Sequence, residues 1–360
     1  MLYLIQFYRN VCANVSQRFP GCPKGETNVK QVSVRDIARQ AGVSTSTVSH
    51  VLNKTRYVSP EITERLNHII EETGYRQNML ARAMRRGTTN TIGIIIPKID
   101  PGYFYGLALR QIEGLTRENG YRLLIRTSGD DPAQEQESIR QLLEWKVDGI
   151  ILVPSNNDYD YSQIPCPVVL MDREPHIKTV SGFYVDNYEI TCRAMQLLIG
   201  AGHGHIAFMG AVPRFAPTVN RVKGYRDMLR AAGIPLREAY IRCGPTTQEE
   251  GTRVMRTLLE ETDVTAALIA SSPLTVGAMN YINAHGIPVP ERMAIVSFGN
   301  YEWMPLCNPP LDGIMQPNRE IGMRAAQRML EMLSDPQDRR VITENLKCTY
   351  IAGRSVSKAP

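Results

Sequence analysis

A chain of 360 residues with 43% hydrophobic, 21% charged and 7% aromatic residues has the makeup of a globular protein of two or three domains, and is not collagenous, mucin-like or wholly disordered. Its net charge of +5 is unevenly held, with 13 Lys+Arg against 6 Asp+Glu before residue 89 and 28 against 30 after it. That split implies a basic head that meets a polyanion and a near-neutral body with another task. The seven cysteines are scattered and form no C-x-x-C pair, which points to reduced thiols and away from a disulfide framework or zinc module. No run reaches the roughly 18 apolar residues of a membrane span, and the opening MLYLIQFYRN lacks the layout of a secretory signal. A cytoplasmic protein is expected.

Residues 1–31 carry Pro20-Gly21, Pro23 and Lys24-Gly25 without sustained periodicity, and read as a disordered or mis-annotated extension, with Val29 as a candidate start. From Val32 the pattern is helical. Val34, Ile37, Ala38 and Ala41 recur at helix spacing, Gly42 ends that helix, and Ser44 caps a second one that buries Val48, Val51 and Leu52. A third helix starts after Ser59-Pro60, buries Ile62, Leu66, Ile69 and Ile70, and stops at Thr73-Gly74. Asn78 to Met84 is helical in composition but only about two turns long, too short to be stable alone. Residues 78–89 therefore read as a hinge helix and linker.

Beyond residue 90 short β runs alternate with amphipathic helices. The β runs are Thr91–Ile96, Tyr121–Arg126, Gly149–Val153, Val168–Met171, Phe183–Val185, His205–Gly210, Tyr240–Arg242, Ala266–Ala270 and Met293–Phe298, with a late one near Leu346–Ile351. Helices are expected between most of them, for example at Tyr105–Glu118, Ala133–Trp145, Glu189–Ile199, Val222–Ala232 and Glu249–Glu260. This alternation means parallel sheets wrapped by helices, and so many strands fit two doubly wound lobes better than one sheet. Ligands of such folds sit at the carboxyl ends of strands, so a cleft between lobes is the expected pocket.

The segment VSVRDIARQAGVSTSTVSHVLN is the strongest signal. Its second helix sets Thr45, Ser46, Ser49, His50 and Asn53 on one face, all of them short or hydrogen-bonding, opposite Val48, Val51 and Leu52. A helix that enters a major groove about 12 Å wide needs such a face, since its reading groups must touch base edges. A merely solvated helix would carry Glu and Lys instead.

D-I-A-x-x-A-G-V-S-x-x-T-V-S-x-V-L-N, then V-S-P-E-I-T-E-R and G-Y-R-x-N-x-L-A-R-A-M-R, resemble the lactose/galactose repressor (LacI/GalR) family of bacterial transcription regulators. The likeness continues through V-D-G-I-I-L at Val147, P-V-V-L-M-D at Pro167, N-R-x-x-G-Y at Asn220 and G-R-S at Gly353. It implies an all-α helix-turn-helix head at 32–77 and a body at 90–360 like a periplasmic binding protein. The body's N-lobe would hold about 90–188 and 317–345, and its C-lobe about 189–316 and 346–356. By that resemblance Thr45, Ser46 and His50 read bases, while Ser33, Ser44, Thr47, Ser49, Asn53 and Tyr75 contact the DNA backbone or cap helices. Asn78, Ala81, Met84 and Arg85 belong to a hinge that wedges Met84 into the minor groove. The partners implied are a pseudopalindromic DNA operator, a second copy of the chain in a homodimer, and a small effector between the lobes; no membrane, metal or cofactor is implied.

Asp172, Arg221 and Gln316 match effector-contacting positions, and Thr246, Ser271 and Asn300 lie at further pocket positions where this chain departs from the family. Ser271-Ser272 replaces a frequent Asn-Asp pair, Gly299-Asn300 an acidic residue, and Thr246 an aromatic one. Losing these acidic groups points to a carbohydrate-related ligand with a charge, such as a sugar acid or phosphorylated sugar, beside Arg221 and Arg214. An enzyme or a solute-binding protein on the same body is the alternative. Gly200-Ala201-Gly202 precedes a strand instead of following one, which argues against a dinucleotide loop, and no P-loop, G-x-S-x-G or H-E-x-x-H is present.

Overall fold

A computed structural model of the protein describes residues 32–53, 56–75, 88–99, 104–299 and 302–359, apart from the Asn53 side chain. The chain divides into two compact units, Met1–Arg82 and Ala83–Pro360. The expectations for residues 1–31 and for the hinge helix fall outside the described residues.

In the first unit α1 (Val34–Ala41), α2 (Thr45–Asn53) and α3 (Pro60–Thr73) enclose a small core of Ile37, Ala38, Ala41, Val48, Leu66 and Ile69. Ser33 and Asp36 form a reciprocal capping box on α1. Gly42, at φ 65°, takes the left-handed conformation that turns the chain sharply into α2. Pro60 opens α3, and Gly74 closes it at φ 60°.

The second unit holds two six-stranded sheets of the same strand order. The first runs β11-β5-β4-β3-β1-β2, with β1 (Thr91–Ile96), β2 (Arg122–Thr127), β3 (Gly149–Leu152), β4 (Val168–Asp172), β5 (Ser181–Val185) and β11 (Thr343–Leu346). The second runs β12-β10-β9-β8-β6-β7, with β6 (Ile206–Ala211), β7 (Ile241–Gly244), β8 (Ala266–Ile269), β9 (Ala294–Phe298), β10 (Asp312–Met315) and β12 (Thr349–Ile351). Helices α4 (Phe104–Glu118), α5 (Pro132–Glu144) and α10 (Asn318–Ser334) pack on the first sheet. Helices α6 (Asn187–Gly200), α7 (Ala216–Ala231), α8 (Gln248–Glu261) and α9 (Ser272–Ala284) serve the second. Strands buried on both faces, such as Gly149–Leu152 and Ala266–Ile269, read as continuous apolar runs because helices cover both sides.

Several elements differ from expectation. The late run near Leu346–Ile351 is two strands. Thr343–Leu346 pairs parallel with β5, Lys347 and Cys348 cross between lobes, and Thr349–Ile351 pairs antiparallel with β10, so the second sheet is not wholly parallel. Strand β10 escaped the sequence reading because Asp-Gly-Ile-Met is too short and mixed to show alternation. The helix expected at Val222–Ala232 starts at Ala216, since Pro217 fits a first helical turn, and Arg221 therefore lies within the helix.

The chain crosses between the sheets after β5, after β10 and after β11. Two crossings are tied together, as the Cys348 amide donates to the Asp186 carboxylate at 3.0 Å and the Asp186 amide to the Leu346 carbonyl at 3.1 Å. In the C-lobe, α8 and α9 approach so closely that a Cβ on Gly277 would lie 1.9 Å from the Gln248 carbonyl oxygen.

Candidate functional site

The recognition face is built on the start of α2. The Ser44 hydroxyl accepts from the Thr47 amide at 3.1 Å, and the Ser44 carbonyl accepts from the Val48 amide at 3.2 Å, which makes Ser44 the N-cap. Its hydroxyl also bonds those of Ser46 (2.6 Å) and Thr47 (2.9 Å). Ser44, Thr45 and Ser46 are exposed, whereas Thr47, Ser49 and His50 are half-buried. Fully buried Val48 anchors the opposite side against Ile37 and Leu66. The helix thus presents hydroxyls that can each donate once and accept twice, a flexible set for phosphates and base edges. Ser46, expected to read a base, keeps spare capacity beside its bond to Ser44. Tyr75 follows the Gly74 turn and packs on the head core, and Ser33 serves the capping box. Asn53 is the last residue of α2; Asn78, Ala81, Met84 and Arg85 lie outside the described residues.

In the body, Asp172, Arg221, Thr246, Ser271 and Gln316 line one cavity of about 390 Å³ between the lobes. Asn300 lies outside the described residues. The volume lies within the range of roughly 300–1,000 Å³ that holds small metabolites. Asp172 ends β4 at φ 67°, a conformation costly for a residue with a Cβ, and its carboxylate accepts from the Tyr105 hydroxyl at 2.9 Å. Burial raises the Asp172 carboxyl above the ordinary range, against the pull of the neighbouring Arg173 and of the Tyr105 hydrogen bond. Burial also raises the Tyr105 phenol well above its usual value, so the hydroxyl stays a donor.

Arg221 projects from the second turn of α7. Its Nε donates to Asn187 Oδ1 and its Nη1 to the Ala270 carbonyl, both at 2.8 Å, and its guanidinium lies 4.0 Å from the centre of the Phe298 ring. The neighbouring Ser272 hydroxyl donates to the Phe298 carbonyl at 3.1 Å, which fixes the start of α9 against the end of β9.

Two residues the sequence reading passed over complete the cavity. Arg173 donates to Asp130 Oδ1 at 2.7 Å and sits 3.9 Å from the Asp172 carboxylate. Burial works against its charge, but the Asp130 and Asp172 carboxylates outweigh that and keep it cationic. Its guanidinium lies 3.7 Å from the ring centre of Phe215, on the opposite lobe, and Arg214 covers the same ring at 4.5 Å. Further cross-lobe bonds run from Asn157 Nδ2 to the Arg214 carbonyl at 2.6 Å and from Arg214 to the Asp130 carbonyl. Arg173 sits directly after Asp172 in the sequence, but its partner Asp130 is 43 residues upstream and no local pattern links them. His203, which a metal-minded reading would single out, bonds the Thr265 hydroxyl at 2.9 Å and the Ser357 carbonyl at 3.1 Å.

A helix-turn-helix with a hydroxyl-rich reading face, carried on the same chain as a two-lobed body with a polar cleft, defines a ligand-controlled DNA-binding regulator. Residues 33–78 match the bacterial regulatory proteins of the lacI family, and residues 195–356 match the periplasmic binding protein-like domain. Catabolite control protein A of Priestia megaterium is 31% identical over 83% of this chain and 91% of its own length. The transcriptional regulator AscG of Escherichia coli is 30% identical over 83% and 91%. The chain belongs to the LacI family, and it is a transcriptional regulator, not an enzyme. The same fold is seen in the lac repressor dimer bound to operator and the anti-inducer ONPF, with a TM-score of 0.78 at 21% identity over 90% of this chain and 98% of that one. It is also seen in the complex of the transcriptional regulator CelR with cellobiose, with a TM-score of 0.67 at 25% identity over 90% and 100%. Among the described residues no helix is long and apolar enough to cross a membrane.

Proposed function

We propose that the protein is a cytoplasmic, nucleoid-associated repressor that binds a pseudopalindromic operator as a homodimer and is controlled by a small carbohydrate-related metabolite held between its lobes. Two α2 helices would enter successive major grooves about 34–36 Å apart. Thr45, Ser46 and His50 would face base edges, while Ser33, Ser44, Thr47, Ser49, Asn53 and Tyr75 would position the head on the DNA backbone. Asn78, Ala81, Met84 and Arg85 would act in the hinge. The observation that carries the effector reading is the convergence of Asp172, Arg221, Thr246, Ser271 and Gln316, residues scattered over 145 positions, on one cavity. A ligand that touches both walls has a different affinity for each relative placement of the lobes, and that difference is what couples it to operator binding.

The test is a gel-shift titration of the full-length protein on operator fragments selected from random DNA, with and without a metabolite panel. A preferred palindromic sequence, and a midpoint that moves with at least one compound, is expected. Equal affinity for all sequences would overturn the proposal.

A further inference from the structure

The two walls of the cleft differ in chemistry. Among the described lining residues both carboxylates, Asp130 and Asp172, belong to the N-lobe and both face Arg173. Among the described residues the C-lobe wall carries Arg214 and Arg221 with Thr218, Thr246, Ser271 and Ser272 and no carboxylate of its own, while Asp172 across the cleft acts on the Arg221 charge. Arg214 donates to a backbone carbonyl and lies over Phe215, and no carboxylate partners it among the described residues.

Two helices also begin at this wall. The N-cap residues of α7 and α9 are Phe215 and Ser271; neither makes a side-chain capping hydrogen bond, and neither helix has an acidic residue in its first turn. The lining residues Phe215, Pro217 and Thr218, and Ser271 to Pro273, belong to those helix starts. Helix N-termini carry partial positive charge, although Pro217 and Pro273 in these first turns supply no N–H. Arginine offers donors and no acceptor. The hydroxyls of this wall can serve donors and acceptors alike, but the described cationic side chains lining the cavity, Lys98, Arg173, Arg214 and Arg221, outnumber its carboxylates, Asp130 and Asp172, and that excess favours a ligand with an anionic group over an uncharged polyol.

We infer that the effector is a polyhydroxylated compound carrying one anionic group, a carboxylate or a phosphate ester, seated on the C-lobe wall between Arg214, Arg221 and the starts of α7 and α9. Its hydroxyls face Asp172 on the N-lobe side. This rests on the cleft-effector reading above and names its ligand class.

The test is calorimetry on the full-length protein with D-gluconate, D-glucose 6-phosphate, inorganic phosphate and D-glucose, at matched ionic strength. The two sugar anions separate a carboxylate ligand from a phosphate ester. At least one anion should bind tenfold or more tightly than glucose. Arg214→Gln should remove most of that margin, and Arg214→Lys should restore part of it. Glucose binding as tightly as every anion, or no anion distinguishing the wild type from Arg214→Gln, would overturn the anion assignment and leave the cleft reading standing. An anion that binds the wild type, Arg214→Gln and a cleft-filling Ser271→Trp variant equally would lie outside the cleft and overturn the anion assignment; the cleft reading itself falls if no metabolite moves the operator-binding midpoint of the wild type.

Discussion

Replacing Ser44 separates its observed role as a cap from its proposed role as a DNA contact. The hydroxyl satisfies the Thr47 amide at 3.1 Å, so Ser44→Ala removes an N-cap worth about 1 kcal/mol. A head of about 45 residues has a stability of roughly 2–7 kcal/mol at the usual value per residue. Even at the lower end, losing about 1 kcal/mol raises the unfolded fraction only from about 3% to about 15%, which weakens operator binding by a dimer of two heads about 1.3-fold. Amide exchange across Thr45–Leu52, followed by mass spectrometry on the full chain, should quicken about fivefold. A larger loss of operator affinity, of fivefold or more, would come from a missing phosphate contact. Ser44→Asp sharpens the separation. Aspartate caps as well as serine and suits the helix dipole, so exchange should stay near wild type, while repulsion from phosphate should cut operator affinity more than Ser44→Ala does. If Ser44→Asp exchanges as fast as Ser44→Ala, or binds operator as tightly as wild type, the assignment of the cap or of the contact is wrong.

His50→Ala should reduce discrimination at one operator base pair by about 1–3 kcal/mol and leave affinity for unrelated DNA unchanged, as read by binding to a set of singly substituted operators. Gly277→Ala should destabilise the body by about 1–3 kcal/mol or more in urea denaturation, because the new Cβ meets the Gln248 carbonyl at 1.9 Å and the Thr252 amide nitrogen at 2.8 Å; unchanged or higher stability would mean that helix propensity outweighs this contact. Asp338 accepts from Arg340 and Arg328, which hold its carboxyl far below the ordinary carboxylate range. A depressed carboxyl stabilises the fold above its unfolded value near pH 4 and loses that contribution as pH falls towards the folded value. The stability gap between wild type and Asp338→Asn should therefore be widest at neutral pH and narrow in acid; a gap independent of pH would refute the ion-pair account.

The head was legible almost residue by residue, because its three helices are local objects: periodic apolar residues, a glycine at each left-handed stop, and Ser or Ser-Pro at each start. Most strands were legible for the same reason, as buried runs such as Ile92 to Ile96 leave little choice. What escaped was non-local or unpatterned. Helix α9, Ser272–Ala284, is buried nearly all round and shows no polar face to mark its period. The split between β11 and β12 depends on which lobe each strand joins, which no stretch of sequence states. In the cleft, Arg221 and Asp172 were visible through the family resemblance, whereas Arg173 and Phe215 acquire their roles by meeting across the lobes. The departures at Thr246 and Ser271 were visible as residues. That the same wall also receives the starts of α7 and α9 is a property of the fold.

The central claim is that one chain both selects an operator sequence and senses a small molecule in the cleft between Asp172 and Arg221. The most direct measurement is operator affinity of the wild type and of a cleft-filling Ser271→Trp variant across a metabolite panel, on the same selected DNA. The account predicts that both proteins bind that DNA in preference to scrambled sequence, that at least one metabolite shifts the wild type at least tenfold, and that the variant does not respond to it. A variant that responds as the wild type does, or a wild type that binds scrambled DNA equally well, would contradict it.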